Sequence, residues 1–178
     1  LQNTIKIIGQ VLNYKVLENS ESTALIKVIT DYAYGLEILD QYDYQKLEIK
    51  STSGKEIYQL DYTEAIKKID QLRMTYSSSD LFGLEKDRSL KSSLNTVYQT
   101  FDGADLYPSI EEQAANLLYF ITKNHSFVDG NKRIAAFLFL YFLERNGILY
   151  DSSGNKRIAD NALVALTLMI AVSKPEEK

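Results

Sequence analysis

The chain has 178 residues, 45% apolar and 25% charged, with a net charge of −4. These proportions suit one soluble globular domain with a helical extension, and the acidic balance counts against nucleic-acid binding, which calls for a basic face. There is no cysteine, which excludes disulfides and thiolate metal sites, and no apolar run is long enough to span a bilayer. No signal-peptide pattern opens the chain, so a cytoplasmic location is expected; the start at Leu1 reads as a piece of something longer.

Residues 1–18 carry no clean period and read as a helix or an extended arm. From Glu21 the pattern sharpens. Leu25, Val28, Ile29, Tyr32, Leu36 and Leu39 recur at helical spacing behind Ser20 or Ser22, which predicts an amphipathic helix over 21–42. Ser51-Thr52-Ser53-Gly54 is a turn, and 56–60 reads as a short strand or extended linker. Thr63 is expected to cap a helix through Ile66, Ile69, Leu72 and Arg73, ended by Ser77-Ser78-Ser79. That serine run is the expected boundary between a helical extension, 1–80, and a core, 81–178.

Leu90, Leu94 and Val97 predict a helix over 84–97. Asp102-Gly103, between apolar-bearing arms at Thr100-Phe101 and Ala104-Asp105-Leu106, predicts a tight hairpin, because such a turn needs positive φ. Ser109, with Glu112 three residues on, forms a capping-box pattern for a helix reaching about Asn124. A strongly apolar helix over 131–145 should be central to the fold and end at Gly147 in a left-handed cap. A last helix is expected over 158–172. Together these predict an all-α helical bundle with one small β-hairpin.

The chemistry concentrates in His125-Ser126-Phe127-Val128-Asp129-Gly130-Asn131-Lys132-Arg133. It holds the chain's one histidine, a carboxylate four residues later, and two cations on the first turn of a helix. Unpaired N–H groups and the helix dipole make such an end an anion site. A base, a carboxylate able to take a metal and a phosphate cradle within nine residues point to chemistry on a nucleotide. The string Gly-Asn-Lys-Arg-Ile-Ala recurs at 154–159 without the His, Phe and Asp, and reads as chance or a second helix start and not as a second site.

This stretch resembles the signature of the Fic/Doc (Fido) family, His-Pro-Phe-x-(Asp/Glu)-Gly-Asn-Gly-Arg-x-x-Arg. His125, Phe127, Asp129, Gly130, Asn131 and Arg133 match it; Ser126, Lys132 and Ala136 depart from it. The resemblance covers roughly 84–173 and implies a helical Fic-type fold. It also implies a set of roles: His125 as general base, Phe127 as loop anchor, Asp129 as Mg²⁺ ligand, and Gly130, Asn131, Lys132 and Arg133 around ATP phosphates. Thr100, Phe101, Asp102, Gly103, Ala104, Asp105 and Leu106 then resemble the flap that docks a target segment by strand addition.

The resemblance further implies transfer of AMP from ATP to a hydroxyl side chain of a target protein, the family's commonest activity. Lys132 and Ala136 are similar instead to the Doc branch, which moves the γ-phosphoryl group; Gly130 stands where the Doc pattern has Ala. A different class of reading is a nucleotide-binding regulatory module without catalysis, to which loss of His125 would be indifferent. The family's inhibitory (Ser/Thr)-x-x-x-Glu-(Gly/Asn) helix has no convincing copy: Ile57 follows Thr52–Glu56, and Pro175 interrupts Ser173–Glu177. Inhibition is therefore expected from a separate antitoxin-like chain or from sequence outside this one.

Overall fold

In the computed structural model the chain divides into two compact units, Leu1–Lys50 and Ser51–Lys178. The structure describes residues 52–76 and 79–174 continuously, and only single positions, the pairs 43–44 and 48–49 and the short run 35–41 between 30 and 49. The expected arm over 1–18 and most of the helix over 21–42 lie outside the described residues; 35–41 are helical.

The second unit comprises α1 (Tyr62–Tyr76), α2 (Ser89–Val97), the strands β1 (Thr100–Phe101) and β2 (Ala104–Asp105), α3 (Ile110–Asn124), α4 (Asn131–Arg145) and α5 (Asp160–Val172). The fold is therefore a helical bundle with one antiparallel hairpin, in which Thr100 faces Asp105 and Phe101 faces Ala104. Asp102 and Gly103 take φ of 51° and 79°, the double positive-φ turn expected of Asp-Gly.

The helices α3 and α4 form the centre, as the apolar run of α4 implied. Ile134, Ala135, Leu138 and Phe142 on α4, and Ile121 and Leu117 on α3, are buried in one core with Leu90, Leu94 and Val97 of α2. Ser109 accepts from the Glu112 N–H while the Glu112 side chain accepts from the Ser109 N–H, so the expected capping box starts α3. At the far end of α4, Gly147 adopts φ 72°.

Several local expectations shift. Asp61, not Thr63, caps α1: its carboxylate accepts from the Glu64 N–H at 2.8 Å. The helix brings Ala65 and Ile69 into the same core as α2 to α4, so the boundary placed at residue 80 falls inside the second compact unit. Of the two alternatives for residues 56–60, a short strand or an extended linker, the structure has the second. It is tied by side chains, with the Asn146 carboxamide accepting from the Ile57 and Tyr58 N–H groups and the Tyr98 hydroxyl accepting from the Leu60 N–H.

The second Gly-Asn-Lys-Arg-Ile-Ala string is a loop and does not start a helix. The Asp151 carboxylate accepts from the N–H groups of Ser153 and Asn155, and Lys156 pairs with Asp160 at 2.5 Å. Helix α5 starts at Asp160, two residues later than expected, and buries only Leu163 and Thr167. Leu166 and Met169, apolar residues of the same helix, are exposed.

Candidate active site

Helix α3 ends at His125, which sits in the left-handed region with φ 47° and ψ 47°. This conformation, unusual for a residue with a Cβ, turns the chain sharply out of the helix and leaves the imidazole exposed. The ring makes no hydrogen bond among the described residues, so neither nitrogen is engaged by the fold.

The next two residues go the other way. Ser126 and Phe127 are both fully buried. The Ser126 hydroxyl accepts from Ser89 Oγ at 2.8 Å, so the hydroxyl that stands in place of proline is satisfied inside. Phe127 joins the core as the expected anchor; burying such a side chain is worth about 1.5–3 kcal/mol.

Asn131 pins the loop from the helix that follows. Its Oδ1 accepts from the Phe127 N–H at 2.8 Å and its Nδ2 donates to the Phe127 carbonyl at 2.7 Å. Both ends of the carboxamide are thus engaged by one backbone residue. Asn131 was expected among the groups around a phosphate; in this structure its side chain holds the loop, and only its main chain is left at the helix start.

A second support comes from a segment the sequence reading placed in a helix. The expected helix over 84–97 begins only at Ser89, because residues 82–86 run as an extended strap along the motif loop. The Gly83 N–H donates to the Asp129 carbonyl, the Val128 N–H to the Leu84 carbonyl, and the Lys86 N–H to the Ser126 carbonyl, at 3.1, 2.9 and 2.9 Å. Two signals in the sequence marked this break: Gly83, and Asp87, whose carboxylate accepts from the Ser89 N–H just before α2.

Gly130 is the N-cap of α4, with φ 88° and no side-chain cap. A Cβ placed there would stand 2.3 Å from Cε2 of Phe82, so both its dihedral and its surroundings demand glycine. The first turn of α4 keeps the N–H groups of Asn131, Lys132 and Arg133 free of intrahelical partners, as every helix start must.

The charged groups are arranged around that end. Asp129 is not the helix cap that its position could have made it: its Oδ1 accepts from the adjacent Gly130 N–H at 2.7 Å. Its Oδ2 lies 3.4 Å from Arg133, a long pair between side chains 44% and 60% exposed. Such a pair contributes at most about 1 kcal/mol and is readily exchanged for another partner. The Arg133 guanidinium also lies over the Phe82 ring, 4.6 Å from its centroid. Lys132 is exposed beside it, and Ala136 is half-buried one turn on.

The donor set fits a hydrated divalent cation held together with phosphates. Magnesium takes one or two carboxylates and fills its other positions with phosphate oxygens and water, and Asp129 supplies one partly exposed carboxylate at an anion-favouring helix start. Among the described residues no group of three or more His, Asp or Glu side chains forms an all-protein metal cage.

The hairpin residues Thr100 to Leu106 form their turn as expected and expose Phe101 strongly, at 80%. Their anchor is elsewhere: Asp105 pairs with Lys55 at 2.8 Å, and the Gln113 carboxamide donates to the Tyr107 carbonyl. No described hydrogen bond or ion pair joins the hairpin to 125–133. An apolar cavity of about 420 Å³ between α3, α4 and α5 takes in Arg157 and Glu111 but none of those motif residues. No helix among the described residues is long and apolar enough to cross a membrane.

Comparison with known proteins agrees with this local geometry. Over 53 residues the chain is 45% identical to the protein named Toxin Doc of Mycolicibacterium smegmatis (strain ATCC 700084 / mc(2)155). That match takes in 30% of this chain and only 38% of the relative's length. No solved structure matches. The family model of the Fic/DOC family matches residues 56–143, a span that begins in the extended linker and ends in α4, enclosing the strap, the hairpin and the whole motif loop. Residues 56–143 are therefore a domain of the Fic/Doc family.

Proposed function

We propose that this domain transfers a phosphorus-containing group from a nucleoside triphosphate to a hydroxyl side chain of a target protein, with His125 as the general base. The observation that carries the reading is the loop from His125 to Arg133. An exposed imidazole, a partly exposed carboxylate and two exposed cations lie around a helix start, on a backbone fixed from both sides by Asn131 and the 82–86 strap. Such rigidity matters because positioning and charge stabilisation dominate phosphoryl transfer.

The residues divide the work. The exposed imidazole of His125 can take the target hydroxyl's proton as its oxygen bonds to phosphorus. Arg133 and Lys132, with the free N–H groups of α4, stabilise phosphate negative charge. Asp129 would hold Mg²⁺, which when bound offsets charge on the phosphate oxygens.

Of the two orientations for the nucleotide, transfer of the γ-phosphoryl group is favoured. In that reaction the hydroxyl oxygen bonds to Pγ, the bond from Pγ to the β,γ-bridging oxygen breaks, and the nucleoside diphosphate leaves. Two departures support it: Lys132 adds bulk and charge where AMP-transferring relatives have glycine, and Ala136 supplies no second guanidinium. Gly130, the feature pointing toward AMP transfer, is required by its contact with Phe82 and so says nothing about the nucleotide. The similarity to a protein named Toxin Doc fits this branch, and with it a toxin held in check by a separate antitoxin-like chain.

Parallel labelling with ATP carrying ³²P at the α or the γ position, with Mg²⁺, cell lysate and a His125→Ala control, tests the assignment. Protein label from γ alone, lost in the variant, is the expected result. Label from α alone with the same dependence would establish AMP transfer instead. Labelling that survives loss of His125 would refute the base assignment, and nucleotide binding without transfer would leave a regulatory module.

A further inference from the structure

We infer that Phe82, outside the signature motif, is a positioning residue for Arg133 and for the phosphates Arg133 would grip; this rests on the nucleotide reading above. Three observations on one side chain carry the inference. Phe82 is 2% exposed, so its ring is immobilised by the core. One edge of that ring lies where the Cβ of any residue but glycine at 130 would stand. One face lies under the Arg133 guanidinium at 4.6 Å. The strap bearing Phe82 is in turn bonded to the motif loop through the Gly83 N–H and the Asp129 carbonyl, with Phe82 bridging Asp129 in parallel register.

The consequence concerns how Arg133 is shared. As the residue four positions after Asp129, it is placed for an ion pair within its own helix end. A close, two-pronged pair would occupy both the guanidinium meant for phosphate and the carboxylate meant for metal. Stacking on Phe82 supplies a competing attraction of similar size, and the pair with Asp129 is correspondingly long, at 3.4 Å. The guanidinium sits over the ring while its side chain stays 60% exposed, so N–H donors remain open to an incoming phosphate. Phe82 thus holds Arg133 half-released from Asp129.

The test is a double-mutant cycle in the full chain, reading the Kd for Mg-ATP calorimetrically. Phe82→Leu and Phe82→Met keep apolar bulk but remove the aromatic face. Phe142→Leu, a fully buried site on α4 away from the motif, serves as a comparator for general loss of packing. The expected result is about a threefold weaker Kd in either Phe82 variant, no change in Phe142→Leu, and no further weakening when Phe82→Leu is added to Arg133→Ala. The side-chain Nε–H resonance of Arg133 should also lose its ring-current shift in Phe82→Leu.

An equal Phe82→Leu effect in both Arg133 backgrounds, or an unchanged Arg133 resonance, would overturn the role given to Phe82 while leaving the nucleotide reading intact. A wild-type chain that binds no Mg-ATP would overturn the nucleotide reading itself, and the role built on it.

Discussion

Gly130→Ala tests how tightly the motif loop is held, and its cost can be worked from two separable parts. The first is the dihedral: alanine at φ 88° pays roughly 1–2 kcal/mol for the left-handed region. The second is the collision. A Cβ 2.3 Å from Cε2 and 2.5 Å from Cδ2 of a buried ring forces the ring or the loop to move, and overpacking of this kind costs about 1–3 kcal/mol. The stiffer unfolded chain returns about 0.4–1 kcal/mol. The net is about 3 kcal/mol, a large part of the roughly 5–15 kcal/mol that holds a domain together.

Gly147→Ala provides the control. Gly147 has φ 72°, and a Cβ there meets nothing within 4 Å, so it pays the dihedral part alone, about 1 kcal/mol. In urea unfolding monitored by far-UV circular dichroism, Gly130→Ala should lose about 2 kcal/mol more than Gly147→Ala, at unchanged m-value. In thermal scans the difference should be roughly 4–8 °C in Tm. Equal losses for the two variants would refute the claim that Phe82 closes the space beside Gly130.

Three further outcomes are expected. Asn131→Ala breaks both hydrogen bonds to Phe127 and leaves a buried N–H and carbonyl unpaired; it should cost about 2–4 kcal/mol in the same urea assay, while Asn131→Asp, which cannot donate to the Phe127 carbonyl, should not restore wild-type stability. His125→Ala should abolish target labelling yet leave the unfolding midpoint within about 0.5 kcal/mol of wild type, since an exposed ring without hydrogen bonds contributes little; a large stability loss would show a structural role instead. Finally, the hydroxyl of Tyr141 donates to Glu64, and this bond is the leading cause that holds the Glu64 carboxyl below its usual range. A depressed carboxyl stabilises the fold above the unfolded value near 4.5 and stops doing so as pH falls through the folded value. Tyr141→Phe should therefore cost about 1 kcal/mol at pH 7 and progressively less below about pH 4.5, as measured by urea unfolding across pH; a cost independent of pH would sink the assignment.

Much of this protein was legible along the chain because the informative contacts are short in sequence. The capping box of Ser109 and Glu112 spans three residues and the Asp102-Gly103 turn two. The start and end of α4 follow from an apolar run bounded by Gly130 and Gly147. The motif itself, with the cations on the first turn of α4, needed no tertiary information, since backbone geometry at a helix start is set locally.

What only the tertiary structure decided depends on partners distant in sequence. Residues 84–88 have acceptable helical spacing, but extended pairing with 126–128 satisfies their backbone groups on a loop more than thirty-five residues away, so α2 starts late. Likewise, 56–60 lacks strand partners and is held by Asn146 and Tyr98. Gly130 looks in the sequence like room for a phosphate; in space it is room for Phe82. Asn131 looks like a ligand group and is spent on holding the loop. The reason is the same in each case: periodicity reports which face a residue prefers, whereas the identity of the group that fills that space is fixed only when remote segments pack.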